Sequence, residues 1–68
     1  MTPVQVRMIR IALAVSVQEF GALVGADMRM VAAWERGEAV PSPLHVQRIR
    51  AAYRTAAERA EKATAAAR

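Results

Sequence analysis

A chain of 68 residues has room for one small domain. With no cysteine and a single histidine, His45, it holds neither disulfide staples nor the ligands of a metal cage. Ten Lys+Arg against six Asp+Glu leave a formal net charge of +4. Nine of the ten cations are arginine, whose planar fork suits phosphates and guanine edges. No cysteine, one histidine and no room for a pocket-sized core argue against an enzyme, and no cofactor or metal is expected.

The stretch Ile11 to Val17 behind Arg7 and Arg10 has the outline of a signal peptide. Glu19 follows almost at once, however, and cleavage there would leave too little chain to fold. No apolar run approaches the ~20 residues that span a bilayer. The expectation is a cytoplasmic protein with no membrane contact.

Valine and isoleucine recur at helical spacing and never alternate over a strand length, so the chain is expected to be all-α. Thr2 before Pro3, with Gln5 three residues on, combines a hydroxyl N-cap, a first-position proline and a capping-box partner. This predicts a helix to about Leu13, with Val6, Ile9 and Leu13 inward. A second stripe, Val4, Met8 and Ile11, is surplus to that core. Left bare it would be an apolar patch, so it is expected to meet the C-terminal helix of this chain or of a second copy. Ser16 to Glu19 forms another capping box, opening a helix through Val24 with Phe20, Leu23 and Val24 buried.

Gly25 stands where a helix end takes a left-handed residue. Asp27 then caps a third helix from Met28 to about Arg36, with Val31 and Trp34 inward. Gly37 closes it. Pro41, Ser42 and Pro43 make a rigid linker, Ser42 capping the next helix and Pro43 starting it. From Leu44 onward nothing interrupts the helix. Val46, Ile49, Tyr53, Ala56, Ala60, Ala63 and Ala67 recur at alternate spacings of three and four, a heptad seam. The other reading is an alanine-rich tail that frays beyond about Lys62. A break between Ala51 and Thr55 would turn four helices into five.

Ser16 to Gly37 therefore reads as a capped helix, a glycine turn and a second capped helix. Two short helices at a steep angle can set one of them in a DNA major groove. Arg29 opens the second of these helices and Arg36 ends it, while Val31 and Trp34 turn to the core.

The run Ser16-x-x-Glu19-Phe20-x-x-Leu23-Val24-Gly25, then Val31-x-x-Trp34-Glu35-Arg36-Gly37 and Pro41, resembles the Cro/C1-type (Xre family) helix-turn-helix. Thr2-Pro3-x-Gln5-Val6-x-x-Ile9-Arg10-x-x-Leu13 resembles that family's first helix. The resemblance implies a lambda-repressor-like fold of four to five helices. Residues 1–43 would be the DNA-binding core, and 44–68 a dimerisation helix of the same domain. It implies a homodimer on a palindromic operator of double-stranded DNA, repressing transcription and regulating its own operon. Phage and plasmid autorepressors, antitoxin-type and anti-CRISPR-associated regulators share this plan. Repression is also suggested by how little chain is left to recruit polymerase or sense a ligand. The alternative is an antitoxin or adaptor module that binds a second protein.

By that resemblance Met28, Arg29, Ala32 and Ala33 face the bases, and Ser16, Gln18 and Arg36 hold phosphates. Arg7 on the first helix either joins them or is simply solvated. Arg10 and Glu35 match a structural pair, and the dimer interface falls on Val46, Ile49, Tyr53 and Ala56, with Met8 and Ile11. Two positions depart from the pattern. Val17 replaces a customary glutamine, and Gly21 replaces an alanine at up to ~1 kcal/mol of helix propensity.

Other residues have plainer readings. Trp34 belongs to the core, and His45 is expected on the surface of an early helical turn. Arg48, Arg50 and Arg54 extend a basic face or keep the last helix soluble. Glu58, Arg59, Glu61 and Lys62 solvate that helix or make weak pairs across subunits.

Overall fold

A computed structural model describes residues 1–66, with side chains through Thr64; the seam position Ala67 lies outside the described residues. Among the described residues there are four α-helices and no strand: α1 (Pro3–Leu13), α2 (Val17–Val24), α3 (Met28–Arg36) and α4 (Pro43–Ala66). Residues Ala51 to Thr55 lie within unbroken α4, so the five-helix alternative does not hold.

Each helix starts on a side chain that accepts an otherwise orphaned backbone N–H. Thr2 Oγ1 accepts from Gln5 N–H at 3.1 Å while Gln5 Oε1 accepts from Thr2 N–H at 2.8 Å. Ser16 and Glu19 repeat the exchange at 3.1 and 2.9 Å. Asp27 accepts from Met30 N–H at 2.8 Å, and Ser42 Oγ from His45 N–H at 3.2 Å. Gly25 and Gly37 end α2 and α3 in the left-handed region, with φ of 73° and 78°. Ala14 ends α1 there too, at φ 58° without the freedom of glycine, a conformation that costs an L-residue roughly 1–2 kcal/mol.

The helices meet on Val6, Phe20, Val24, Val31, Trp34 and Ile49, none more than 2% exposed. All four contribute, so no helix can be removed without opening the core. Ile9, Leu13, Val15 and Val17 pack around its edge. Burial of side chains of this size removes about 1.5–3 kcal/mol each from the exposed state.

Packing corrects several expectations. Ile49 is fully buried in the protein's own core and offers nothing to a second subunit. Val46 and Ala56 beside it are half-buried, while Tyr53 keeps 48% of its surface exposed. Ala60 and Ala63 are exposed, so the continuous seam has no cover within one chain. Val4, Met8 and Ile11 are also more than half exposed; the chain's own α4 borders only Met8, through a hollow shared with Arg50, and leaves the stripe largely uncovered. His45 is half-buried rather than on the surface: its ring sits 5.1 Å from that of Trp34, and Nδ1 lies 2.8 Å from Ser42 Oγ.

Leu23 was expected inward but is 55% exposed. The cause is Gly21. Its carbonyl accepts the N–H groups of Gly25 and Ala26, folding the α2–α3 turn back onto α2. A Cβ on Gly21 would run into the Ala26 carbonyl oxygen, so only glycine fits the approach. Gly21 is thus on the packed side, and the buried face of α2 rotates away from Leu23. Gly21→Ala, although a better helix former, is expected to lose about 1–3 kcal/mol through this overlap. Urea unfolding checks it, and a stabilised variant would show that the turn can give way.

Candidate nucleic-acid interface

The 24 residues of α4 make a rod about 36 Å long at about 1.5 Å per residue, and the molecule measures 44 × 21 × 19 Å. Packed against the first half of α4, the α2–α3 corner shows solvent the side of α3 opposite Val31 and Trp34. Spacing by three and four brings Arg29, Ala32, Ala33 and Arg36 onto that side. Met28 and Arg29 are exposed, whereas Ala32 and Ala33 are half-buried and leave a shallow surface between two arginines.

The tilt of α3 is held by the pair expected to be structural. Arg10 Nε and Nη2 donate to the two carboxylate oxygens of Glu35 at 2.7 and 3.0 Å, and Arg10 Nη1 donates to the Val15 carbonyl at 3.2 Å. The side chains retain only 17% and 11% exposure. Hydrogen bonding to Glu35 raises the Arg10 pKa above its ordinary value. One fork therefore ties α1 to α3 and to the α1–α2 turn while matching the only negative charge on α3. Arg7, assigned to phosphate, is exposed but leans to the same carboxylate, with Nε 3.9 Å from Glu35.

Two other assigned phosphate contacts are altered by the geometry. The Arg36 fork is engaged by Glu38 through bonds of 3.0 Å each, which raise the Arg36 pKa and lower that of Glu38. Both partners are well exposed, and such pairs are weak, so a phosphate can exchange with Glu38. Ser16 has its hydroxyl oxygen occupied by Glu19 N–H. Its own N–H first, and its hydroxyl second, hydrogen-bond the Glu19 carboxyl and hold it below the usual range. An anion thus already sits at the start of α2. The donors remaining there are the first-turn N–H groups of Val17 and Gln18 and the exposed Gln18 amide.

Arg48 has a place that its sequence context did not single out from Arg50 and Arg54. Its guanidinium covers Gly25, filling the space where a Cβ would project. A cation from α4 therefore lies on the α2–α3 turn, and among the described residues it has no carboxylate partner. Only glycine at position 25 gives it that room. A shallow cleft of about 480 Å³ opens beside it between Leu13, Val15, Leu23 and the α4 residues Ala52, Thr55 and Arg59.

Among the described residues no group of three or more His, Cys, Asp or Glu could hold a metal ion. No helix is long and apolar enough to cross a membrane. No family model, curated protein sequence or solved structure matches the chain.

Proposed function

We propose that the protein is a sequence-specific DNA-binding regulator of the helix-turn-helix kind, which lays α3 in the major groove. The observation that carries this reading is the outer side of α3, small at its centre and cationic at both ends, on a helix whose tilt is fixed by the Arg10–Glu35 fork. The major groove is about 12 Å wide and accepts a helix whose facing side chains are small. Arg29 is assigned to a guanine edge, the commonest specific pairing. Met28, Ala32 and Ala33 are assigned to apolar contact with thymine methyl groups. Arg36 exchanges Glu38 for a phosphate, and the start of α2 adds backbone N–H donors to another. With so few polar groups on α3, groove shape and bridging water share the readout.

One such helix reads only a few base pairs. A homodimer doubles the site and matches the two-fold of an inverted repeat, with the two α3 helices about 34 Å apart along one face of the duplex. Occupying a promoter in this way blocks polymerase, so the protein represses, and its own operon is the natural first target.

A gel shift on the DNA upstream of its own gene tests the assignment. Arg29→Ala is expected to relax sequence preference at one base pair of each half-site, at about 1–3 kcal/mol. Arg36→Ala is expected to weaken binding to every sequence alike and flatten the salt dependence by about one. The opposite pattern would exchange the two roles.

A further inference from the structure

With Ile49 taken by the core, the part of α4 open to a second copy is a different side of the helix. Arg50, Arg54, Glu58 and Glu61 follow at spacings of four, four and three, which puts them on one stripe. All four are exposed, and among the described residues none has an oppositely charged partner. Tyr53, Ala57 and Ala60 run alongside, exposed as well.

The order of these charges is unfavourable in a lone helix. Arg50 and Arg54 are like charges at a spacing of four and repel each other. Arg before Glu at a spacing of four is also the poorer orientation for a pair within one helix. Two helices side by side and parallel would set arginine against arginine. Reversed, the same stripe becomes its own complement, as a two-fold interface must be.

We propose that α4 pairs antiparallel with α4 of a second copy along this stripe, with the two-fold between Thr55 and Ala56. Arg50 then faces the partner's Glu61, and Arg54 the partner's Glu58. Tyr53 lies over the partner's Ala57 and Ala60. Alanines at the contact allow the axes to approach to about 8 Å. Met8 of α1 borders the same side, lining a hollow with Arg50, and so extends the apolar margin. This inference rests on the homodimer reading above and specifies which surfaces meet.

Sedimentation of the full chain tests it with two double variants. Arg50→Glu with Arg54→Glu makes the stripe wholly acidic, and Glu58→Arg with Glu61→Arg makes it wholly basic. All four positions are exposed, and far-UV circular dichroism verifies that each variant folds. Each variant alone is expected to lose self-affinity by about tenfold or more, since four ion pairs become repulsions. An equimolar mixture of the two is expected to recover the dimer. A parallel pair would already hold like charges together in the wild type, so neither variant would weaken it. A dimeric wild type with unweakened variants overturns the antiparallel stripe and leaves the homodimer reading standing. A wild type that sediments as a monomer overturns both. Contact of a single α3 with DNA is read separately by gel shift; a monomeric wild type would remove the inverted-repeat expectation and leave that contact to be decided by the shift.

Discussion

Truncating Trp34 to alanine is expected to cost about 3–5 kcal/mol, the range for losing a large aromatic from a packed core. Trp34 is 2% exposed and lies at the centre of a core of six buried side chains drawn from all four helices. It also carries the half-buried ring of His45, so its loss loosens the start of α4 as well as α3. A domain of this size commonly has only about 3–5 kcal/mol in hand. The variant is therefore expected to be largely unfolded at room temperature, as a loss of helical signal and of the cooperative urea transition. Trp34→Phe keeps a ring in place and is expected to restore a cooperative transition at lower urea. If Trp34 served instead as a stacking platform for bases, the alanine variant would melt like the wild type and lose only DNA affinity.

The second large effect is expected at the Arg10–Glu35 fork. Glu35→Ala leaves a guanidinium with 17% exposure facing an emptied site, which is expected to cost about 2–3 kcal/mol. A fully buried pair would cost more; the residual access to water reduces the penalty. Arg10→Met gives the complementary loss, and the double variant is expected to be less destabilised than the two singles added together. Urea unfolding of the four proteins measures that coupling. A coupling near zero would show that the fork adds nothing beyond its packing. The DNA readout separates position from charge: Glu35→Ala removes a negative charge from α3, yet is expected to weaken specific binding because the helix loses its fixed tilt.

How far the sequence reveals such features depends on whether their causes are local. Capping is local, so Thr2 with Gln5, Ser16 with Glu19, Asp27 and Ser42 mark the helix starts through residue type and spacing alone. Gly25 and Gly37 mark two helix ends for the same reason. Ala14 carries no such signal, because its left-handed turn is imposed by the chain around it. Helical period also finds the strongest core positions, Val6, Phe20, Val24, Val31 and Trp34, since each lies on an apolar stripe at helical spacing.

What stays hidden depends on contacts between elements. Helical spacing makes Phe20, Leu23 and Val24 equivalent. The close approach of Ala26 to Gly21 breaks that equivalence, and propensity reads the same glycine only as a weakness. The α4 seam runs through Ile49 without showing that this residue is already used within the chain. The cover of Arg48 over Gly25 is likewise set by how α4 sits on the α2–α3 turn, whereas Arg36 meets Glu38 only two residues on, once Gly37 turns the chain back. The candidate DNA surface is legible as a list of residues, while the availability of each cation depends on the turns and packing around it.

The most direct measurement of the proposed function is selection from a pool of random duplex DNA at physiological salt, with wild-type protein and Arg29→Ala in parallel. The account predicts an enriched inverted repeat for the wild type, with half-site centres about one helical turn apart. Its sequence preference is predicted to disappear at one base pair per half-site for Arg29→Ala, with the rest retained. A wild-type pool that stays random, or an enriched sequence identical for the two proteins, would contradict the reading of α3 as the element that recognises DNA.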